Sequence, residues 1–177
     1  MVASAAVAPG EETQLSPNRD NKELVRKFFG ALDGRDCAAV ADVLHPDVVM
    51  HTPGDDEPIR GRSQVVAFLE QTFIAFPDFS AHVLDMFGED GQVAVRFETS
   101  GTQTGDFLGI PPTGRTMNTH EIEIIRVVDG QVGEIWQEVN ILGMLQELGI
   151  FPTKQPPRPV LKAMIALRRL GRRLRRT

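Results

Sequence analysis

Residues 117–142 read MNTHEIEIIRVVDGQVGEIWQEVNIL, and this stretch decides the fold. Asp129-Gly130 is a strong signal for a two-residue hairpin turn, and β-branched residues flank it on both sides. The pattern therefore predicts two long antiparallel strands, from Met117 to Val128 and from Gln131 to Leu142.

Helical periodicity fills the first half of the chain. We expect a first helix capped by Asn21 and ended by Gly34, because apolar residues between them recur every three or four positions. A second helix is predicted from Asp36 to Leu44. A short strand then runs to His51, and a third helix is expected to be capped by Ser63.

Strand patterns return after these helices. Phe79 to Phe87 and Val93 to Gly101 are strand-like stretches on either side of a turn, and a short helix, Gly143 to Leu148, follows the long hairpin. Helices followed by a meander of four strands predict an α+β fold, in which the helices cover one face of an antiparallel sheet.

The composition is that of one soluble globular domain: 177 residues, of which 41% are apolar and 24% are charged. No apolar run is long enough to span a membrane, and the N-terminus lacks the basic start of a secretory signal. A single cysteine, Cys37, can form neither an internal disulfide nor a metal cluster. We therefore expect a cytoplasmic protein without a metal site.

Charge is divided unevenly along the chain. Residues 1–153 hold all 24 acidic and 10 of the 19 basic residues, a formal charge of −14, whereas residues 154–177 hold nine basic and no acidic residues. We expect a disordered arm over 1–20, one domain over 21–151, and a Pro-rich linker with a basic amphipathic helix over 152–177. The tail is expected to dock on protein or on an anionic surface, and nothing in the acidic body indicates specific nucleic-acid binding.

The register of the long hairpin predicts which side chains share a face. If Asp129-Gly130 is a two-residue turn, three pairs face each other on one side: Thr119 with Asn140, Glu121 with Glu138, and Glu123 with Trp136. That face either lines a cavity, where two close glutamates would raise one pKa, or is a solvated surface. The opposite face is mostly apolar.

Four segments together resemble a known family. They are Ala75-Phe76-Pro77-Asp78, GTQTGDFLGIPPTGR (101–115), IIRVVDGQVGEIW (124–136) and NILGMLQELGI (140–150). Over residues 21–150 the chain resembles the SnoaL-like polyketide (ester) cyclases of the nuclear transport factor 2-like superfamily, which also holds ketosteroid isomerase and limonene epoxide hydrolase.

The resemblance implies a cone-shaped barrel, in which a curved antiparallel sheet wraps around three N-terminal helices and encloses a cavity for a hydrophobic polycyclic substrate. Such proteins need no metal or organic cofactor, and their usual reaction is the aldol closure of a polyketide ester. The resemblance also places Glu138 and Asn140 in the cavity. It leaves the apolar face of the hairpin as an outer surface on which related proteins dimerise, so we expect a homodimer.

Two positions depart from the family pattern. Asn140 stands where an acid/base aspartate is usual, and Gln103 stands where a histidine is common. An amide does not exchange a proton at neutral pH, so a different ring closure, such as ether formation by epoxide opening, becomes an alternative to the aldol reaction.

These arguments select the candidate site residues. The predicted catalytic residues are Glu138 as the proton-transfer group and Asn140 as a hydrogen-bond donor. His51, which the resemblance places at the cavity, is the predicted proton shuttle. The predicted substrate-binding residues are Trp136, Glu121, Arg96, Gln103, Met50 and Phe73, the last two by the resemblance alone.

Three functions remain open at this stage. The first is a cofactor-free cyclase of a polyketide or related natural product. The second is an epoxide hydrolase or isomerase of the same fold, and the third is a non-catalytic ligand-binding or assembly module. A fold alone does not choose between them, because this architecture hosts several activities.

Overall fold

A computed structural model describes residues 17–54 and 57–153. Its elements follow in chain order: α1 (Pro17–Asp33), α2 (Cys37–Val43), β1 (Leu44–His51), β2 (Ile59–Arg60), α3 (Arg62–Ala75), β3 (Ser80–Glu89), β4 (Gln92–Thr102), β5 (Thr116–Val128), β6 (Gln131–Val139) and α4 (Ile141–Glu147). The predicted α+β class is confirmed.

The six strands form one sheet in the order β2-β1-β6-β5-β4-β3. The predicted meander of four strands is present, but β1 adds to it by pairing parallel to β6, with Met50 opposite Ile135. The expectation of a purely antiparallel sheet is therefore wrong at this one pair. The parallel pair brings the end of β1 next to the middle of the long hairpin.

The core lies between the helices and one face of this sheet. The buried residues of β4 and β5 alternate with exposed or half-buried ones, which is the pattern of a sheet with one covered face. Phe29 of α1 packs edge-on against Phe97 of β4, with ring centroids 4.7 Å apart, and Phe28 extends the same cluster. The helices thus cover the face from which a cavity can open.

The two predicted helix caps, Asn21 and Ser63, are wrong. The predicted start of the second helix at Asp36 is right to within one residue: α2 begins at Cys37, and the Asp36 side chain caps it by accepting a hydrogen bond from the amide of Ala39 at 3.0 Å. However, α1 begins at Pro17 rather than after Asn21, because a proline is well suited to the first helical turn. Gly61, not Ser63, precedes the first residue of α3.

A bulge at Gly133 corrects the predicted hairpin register. Val128 pairs with Gln131 and Val127 with Val132, as a two-residue turn requires, but the next pair is Arg126 with Glu134. Gly133 is the extra residue. A Cβ atom there would lie 2.6 Å from Cγ2 of Val128, so only glycine fits without displacing that side chain.

The bulge reverses the two faces of β6 beyond it. Glu121 now lies opposite Val139, and Glu138 lies opposite Ile122. The cavity-facing residues of β6 are therefore Gln137 and Val139, whereas Trp136 and Glu138 lie on the outer face. The faces predicted for β5 are right, and those predicted for β6 are wrong.

Several expectations fall outside the described residues. These are most of the predicted N-terminal arm and the whole basic helix within 154–177. Within the described part, none of the helices is both long enough and apolar enough to cross a membrane.

Candidate active site

A cavity of about 130 Å³ opens between the helices and the inner face of the sheet. Most of its wall is aliphatic or aromatic, with Phe28 and Leu32 from α1, Leu69 from α3 and Met144 from α4. Its polar groups come mainly from the strands, and they are Thr99, Glu121, Glu123 and Gln137, together with Thr52 and Thr72. No lysine, arginine or histidine belongs to the described lining.

Glu121 is held in this cavity by two side chains. Its side chain projects from β5, and the residue is only 7% exposed. One carboxylate oxygen accepts a hydrogen bond from the Thr99 hydroxyl at 2.6 Å, and the other accepts one from the Gln137 amide at 3.1 Å. These donors stabilise the carboxylate and fix its orientation.

Glu123 follows two residues later on the same face and is 3% exposed. Its Oε1 accepts a longer hydrogen bond, 3.3 Å, from the same Gln137 amide nitrogen. Its Oε2 is buried and has no hydrogen-bond partner among the described residues. A buried oxygen of this kind is satisfied most readily by carrying a proton and donating it to a bound group.

Burial shifts the pKa of both carboxyls upward but by different amounts. Desolvation raises the pKa of Glu121 to about 6, against the opposing effect of the Thr99 and Gln137 hydrogen bonds. Desolvation, reinforced by the negative charge of Glu121, raises the pKa of Glu123 to about 8. Near pH 7 the pair therefore holds one base and one acid.

Gln137 joins the two carboxyls because both of its hydrogen bonds come from one amide nitrogen. Its pairing opposite Glu123 places that nitrogen between the glutamates. Gln137 was predicted on the opposite face of the hairpin, and Glu123 was not among the predicted site residues. A glycine inside a strand pattern is a known sign of a bulge, so Gly133 was the available signal for the face of Gln137, and the alternation of β5 had already placed Glu123 on the face of Glu121.

The predicted catalytic position of Glu138 is wrong. Its side chain is exposed on the outer face of β6. Trp136 lies on that outer face too, stacked on the ring of His51 with centroids 5.6 Å apart and under the guanidinium of Arg126. His51 shares a 2.9 Å contact with Glu134 there, so neither aromatic ring lines the cavity.

Asn140 is a helix cap rather than a cavity group. It precedes α4, and its side-chain oxygen accepts a hydrogen bond from the amide of Gly143 at 3.1 Å. The expected position of Asn140 in the cavity is therefore wrong.

The remaining predicted residues divide between wall, support and surface. Arg96 binds Asp85 on the outer face, with its Nε 2.8 Å from Oδ2, which corrects its predicted position in the site. Gln103 is fully buried but bonds Ile110 and Thr113, so it braces a loop. Met50 lines the cavity. Phe73 instead packs on Phe79, which does line it.

Comparisons with known proteins agree with this arrangement of helices and sheet. A sequence profile for SnoaL-like polyketide cyclases matches residues 22–148. Aklanonic acid methyl ester cyclase DnrD of Streptomyces peucetius is 28% identical over 145 residues, which are 77% of this chain and 97% of DnrD.

Two solved structures extend the comparison. AclR of Streptomyces galilaeus, provisionally described as a hydroxylase, is 30% identical with a TM-score of 0.68 and covers 82% of this chain and 94% of its own. IdmH of Streptomyces antibioticus, provisionally described as a polyketide cyclase, is 30% identical with a TM-score of 0.64. The match covers 73% of this chain and 98% of IdmH.

Proposed function

Since this chain belongs to the SnoaL-like polyketide cyclase family, we propose that it closes a ring of a polyketide ester by aldol addition, without a cofactor. The observation that carries the proposal is the pair Glu121 and Glu123, bridged by the Gln137 amide in an apolar cavity. The pair supplies the base and the acid that the reaction needs.

The proton balance of an aldol closure matches this pair. The Glu121 carboxylate removes a proton from a carbon that lies between two carbonyls. The resulting enolate attacks a third carbonyl elsewhere in the same molecule. As the new carbon–carbon bond forms, the protonated Glu123 donates its proton to the developing alkoxide. The exchange of one proton between the two carboxyls, or with solvent, then restores the starting state.

Asn140 no longer argues for epoxide opening. That alternative rested on the loss of a titratable group at position 140. The side chain at this position caps α4, and two titratable groups lie elsewhere in the cavity. The aldol reaction therefore becomes the preferred ring closure.

The lining also favours an ester over a free acid. The described wall holds two carboxyls and no cation, so a substrate carboxylate would be buried without a positive charge to pair with and beside the negative charge of Glu121. We expect a β-keto polyketide methyl ester to be cyclised at least about 100-fold faster than its free acid, which corresponds to about 3 kcal/mol.

Product analysis by chromatography and mass spectrometry tests this proposal. The protein is incubated with the ester, the free acid and an epoxide-bearing analogue in parallel. A cyclised isomer formed from the ester supports the proposal. Conversion of the epoxide alone would replace it with an epoxide-opening function, and binding of the ester without turnover would favour a binding module.

We further propose that the protein is a homodimer formed through the outer face of the sheet. Ile122 and Ile124 on β5 are 52% and 41% exposed, and Ile124 lies opposite Trp136 on β6. The sequence predicted a patch that also held Ile135, Val139 and Ile141. The observed patch is smaller, because Ile135 is buried in the core and the other two residues line the cavity. Exposed apolar patches of this kind are often interfaces.

Light scattering tests this interface. Ile124→Glu should halve the measured mass, because a charge in the centre of an apolar interface is desolvated without a partner. The control is Ile74→Glu, at an exposed position on α3, which should keep the dimer mass. An unchanged dimer in Ile124→Glu would exclude this face.

A further inference from the structure

The cavity next to Glu121 and Glu123 is too small for a polycyclic molecule. Its volume of about 130 Å³ is close to that of an engineered apolar cavity of about 150 Å³ that binds benzene. Drug-sized ligands need roughly 300–1,000 Å³. The cavity therefore holds about one ring, and the rest of a larger substrate must lie outside it.

A second pocket of about 470 Å³ adjoins the cavity. It lies between α3 and a tight turn over residues 106–109, and it is more open to solvent. Four residues line both spaces: Phe68, Thr72, Phe107 and Leu108. The two spaces are thus neighbours that share these four side chains as lining.

The turn that forms one wall is held firmly. Phe107 and Ile110 form a two-way backbone pair at 3.0 and 2.9 Å, and the Asp106 carboxylate accepts from the Gly109 amide at 3.1 Å. Buried Gln103 donates to the Ile110 carbonyl at 3.0 Å. The Phe107 ring packs edge-on against Phe76, with centroids 5.1 Å apart.

Leu108 lies at the tip of this turn with an unusual backbone conformation. Its backbone φ is +52°, in the left-handed region that a branched side chain rarely adopts, and the residue is 71% exposed. A bound ligand that covers this side chain would remove its apolar surface from water, and strained backbone of this kind is often found at ligand-binding sites.

We propose that the second pocket is a subsite for the part of the substrate that the cavity cannot hold. This inference rests on the proposed function, since it assigns a polycyclic polyketide to the same site. Phe68 and Leu108 contact the apolar rings as they leave the cavity. Gln64, Gln71 and Asp106 then face the outer end, which suits an uncharged segment with hydroxyl and carbonyl groups rather than a carboxylate.

Filling the second pocket tests the subsite. Ala67 is an exposed residue of its floor on α3, so Ala67→Trp should occupy the pocket without disturbing the core. Ala38→Trp, at an exposed position on α2 outside both linings, is the matched control. Two β-keto methyl esters serve as probes, one built on an anthraquinone and one on a single benzene ring.

The expected result is a selective loss of the larger probe. Ala67→Trp should raise KM for the anthraquinone ester at least about tenfold and leave KM for the benzene ester within about twofold. Ala38→Trp should change neither value. Equal KM values for the anthraquinone ester in Ala67→Trp and wild type would overturn the subsite.

A binding measurement separates this inference from the proposed function. If the wild type cyclises neither probe, the proposed function fails, and Kd for the anthraquinone ester is measured by fluorescence titration instead. A Kd at least about tenfold weaker in Ala67→Trp than in Ala38→Trp would still support the subsite. Equal Kd values in the two variants would overturn it.

Discussion

Glu121→Gln is expected to lower kcat for cyclisation of the polyketide ester by about 10²–10⁴-fold, the usual cost of losing a general base. The substitution keeps the shape of the side chain and its hydrogen bond from Thr99, but the amide cannot accept the substrate proton. KM should change much less, because the apolar wall that binds the substrate is left intact.

Glu138→Gln is the matched control for this loss. The same change is made on the neighbouring strand, but the side chain is exposed on the outer face of the sheet. Its kcat should stay within about twofold of wild type. Circular dichroism confirms that both variants are folded, and a Glu121→Gln enzyme with full activity would exclude Glu121 as the base.

Glu123→Gln is expected to stabilise the protein at alkaline pH. Burial raises the pKa of Glu123 to about 8, so the folded state retains a proton that the unfolded chain releases near pH 4.5. The contribution of this carboxyl to stability is therefore complete below about pH 4.5 and is lost as the pH rises towards 8. Glutamine resembles the protonated form at every pH.

The stability that Glu123→Gln gains over wild type should consequently increase with pH. Denaturant unfolding of wild type and Glu123→Gln should differ little at pH 4.5 and by up to about 5 kcal/mol at pH 9, since each pKa unit corresponds to about 1.4 kcal/mol. In Glu138→Gln, an exposed carboxyl is removed, so the difference should be small throughout. A pH-independent effect of Glu123→Gln would mean that Glu123 is not held protonated in the fold.

The strand patterns of the sequence predicted much of the fold but only half of the site. The alternation of residues along β5 correctly predicted that Glu121 and Glu123 share one face of the sheet, and this face is the one covered by the helices. On β6 the same argument failed, because Gly133 adds one residue and every later side chain changes face. As a result Gln137, not Glu138, faces the cavity.

Other features depend on contacts between distant segments. The parallel pairing of β1 with β6 joins residues more than 80 positions apart, and local periodicity carries no sign of it. It is this pairing that stacks His51 on Trp136 outside the cavity. By contrast, the start of α2 next to Asp36 was predicted correctly, because a helix start depends on contacts within the next few residues, such as the cap from Asp36 to Ala39.

The pH dependence of kcat/KM tests the paired carboxyls most directly. With a base that ionises at about 6 and an acid that ionises at about 8, wild type should show a bell-shaped profile with its maximum near pH 7. In Glu123→Gln the alkaline limb should disappear. A wild-type profile that is flat between pH 5 and 9, or an alkaline limb that persists in Glu123→Gln, would contradict the account.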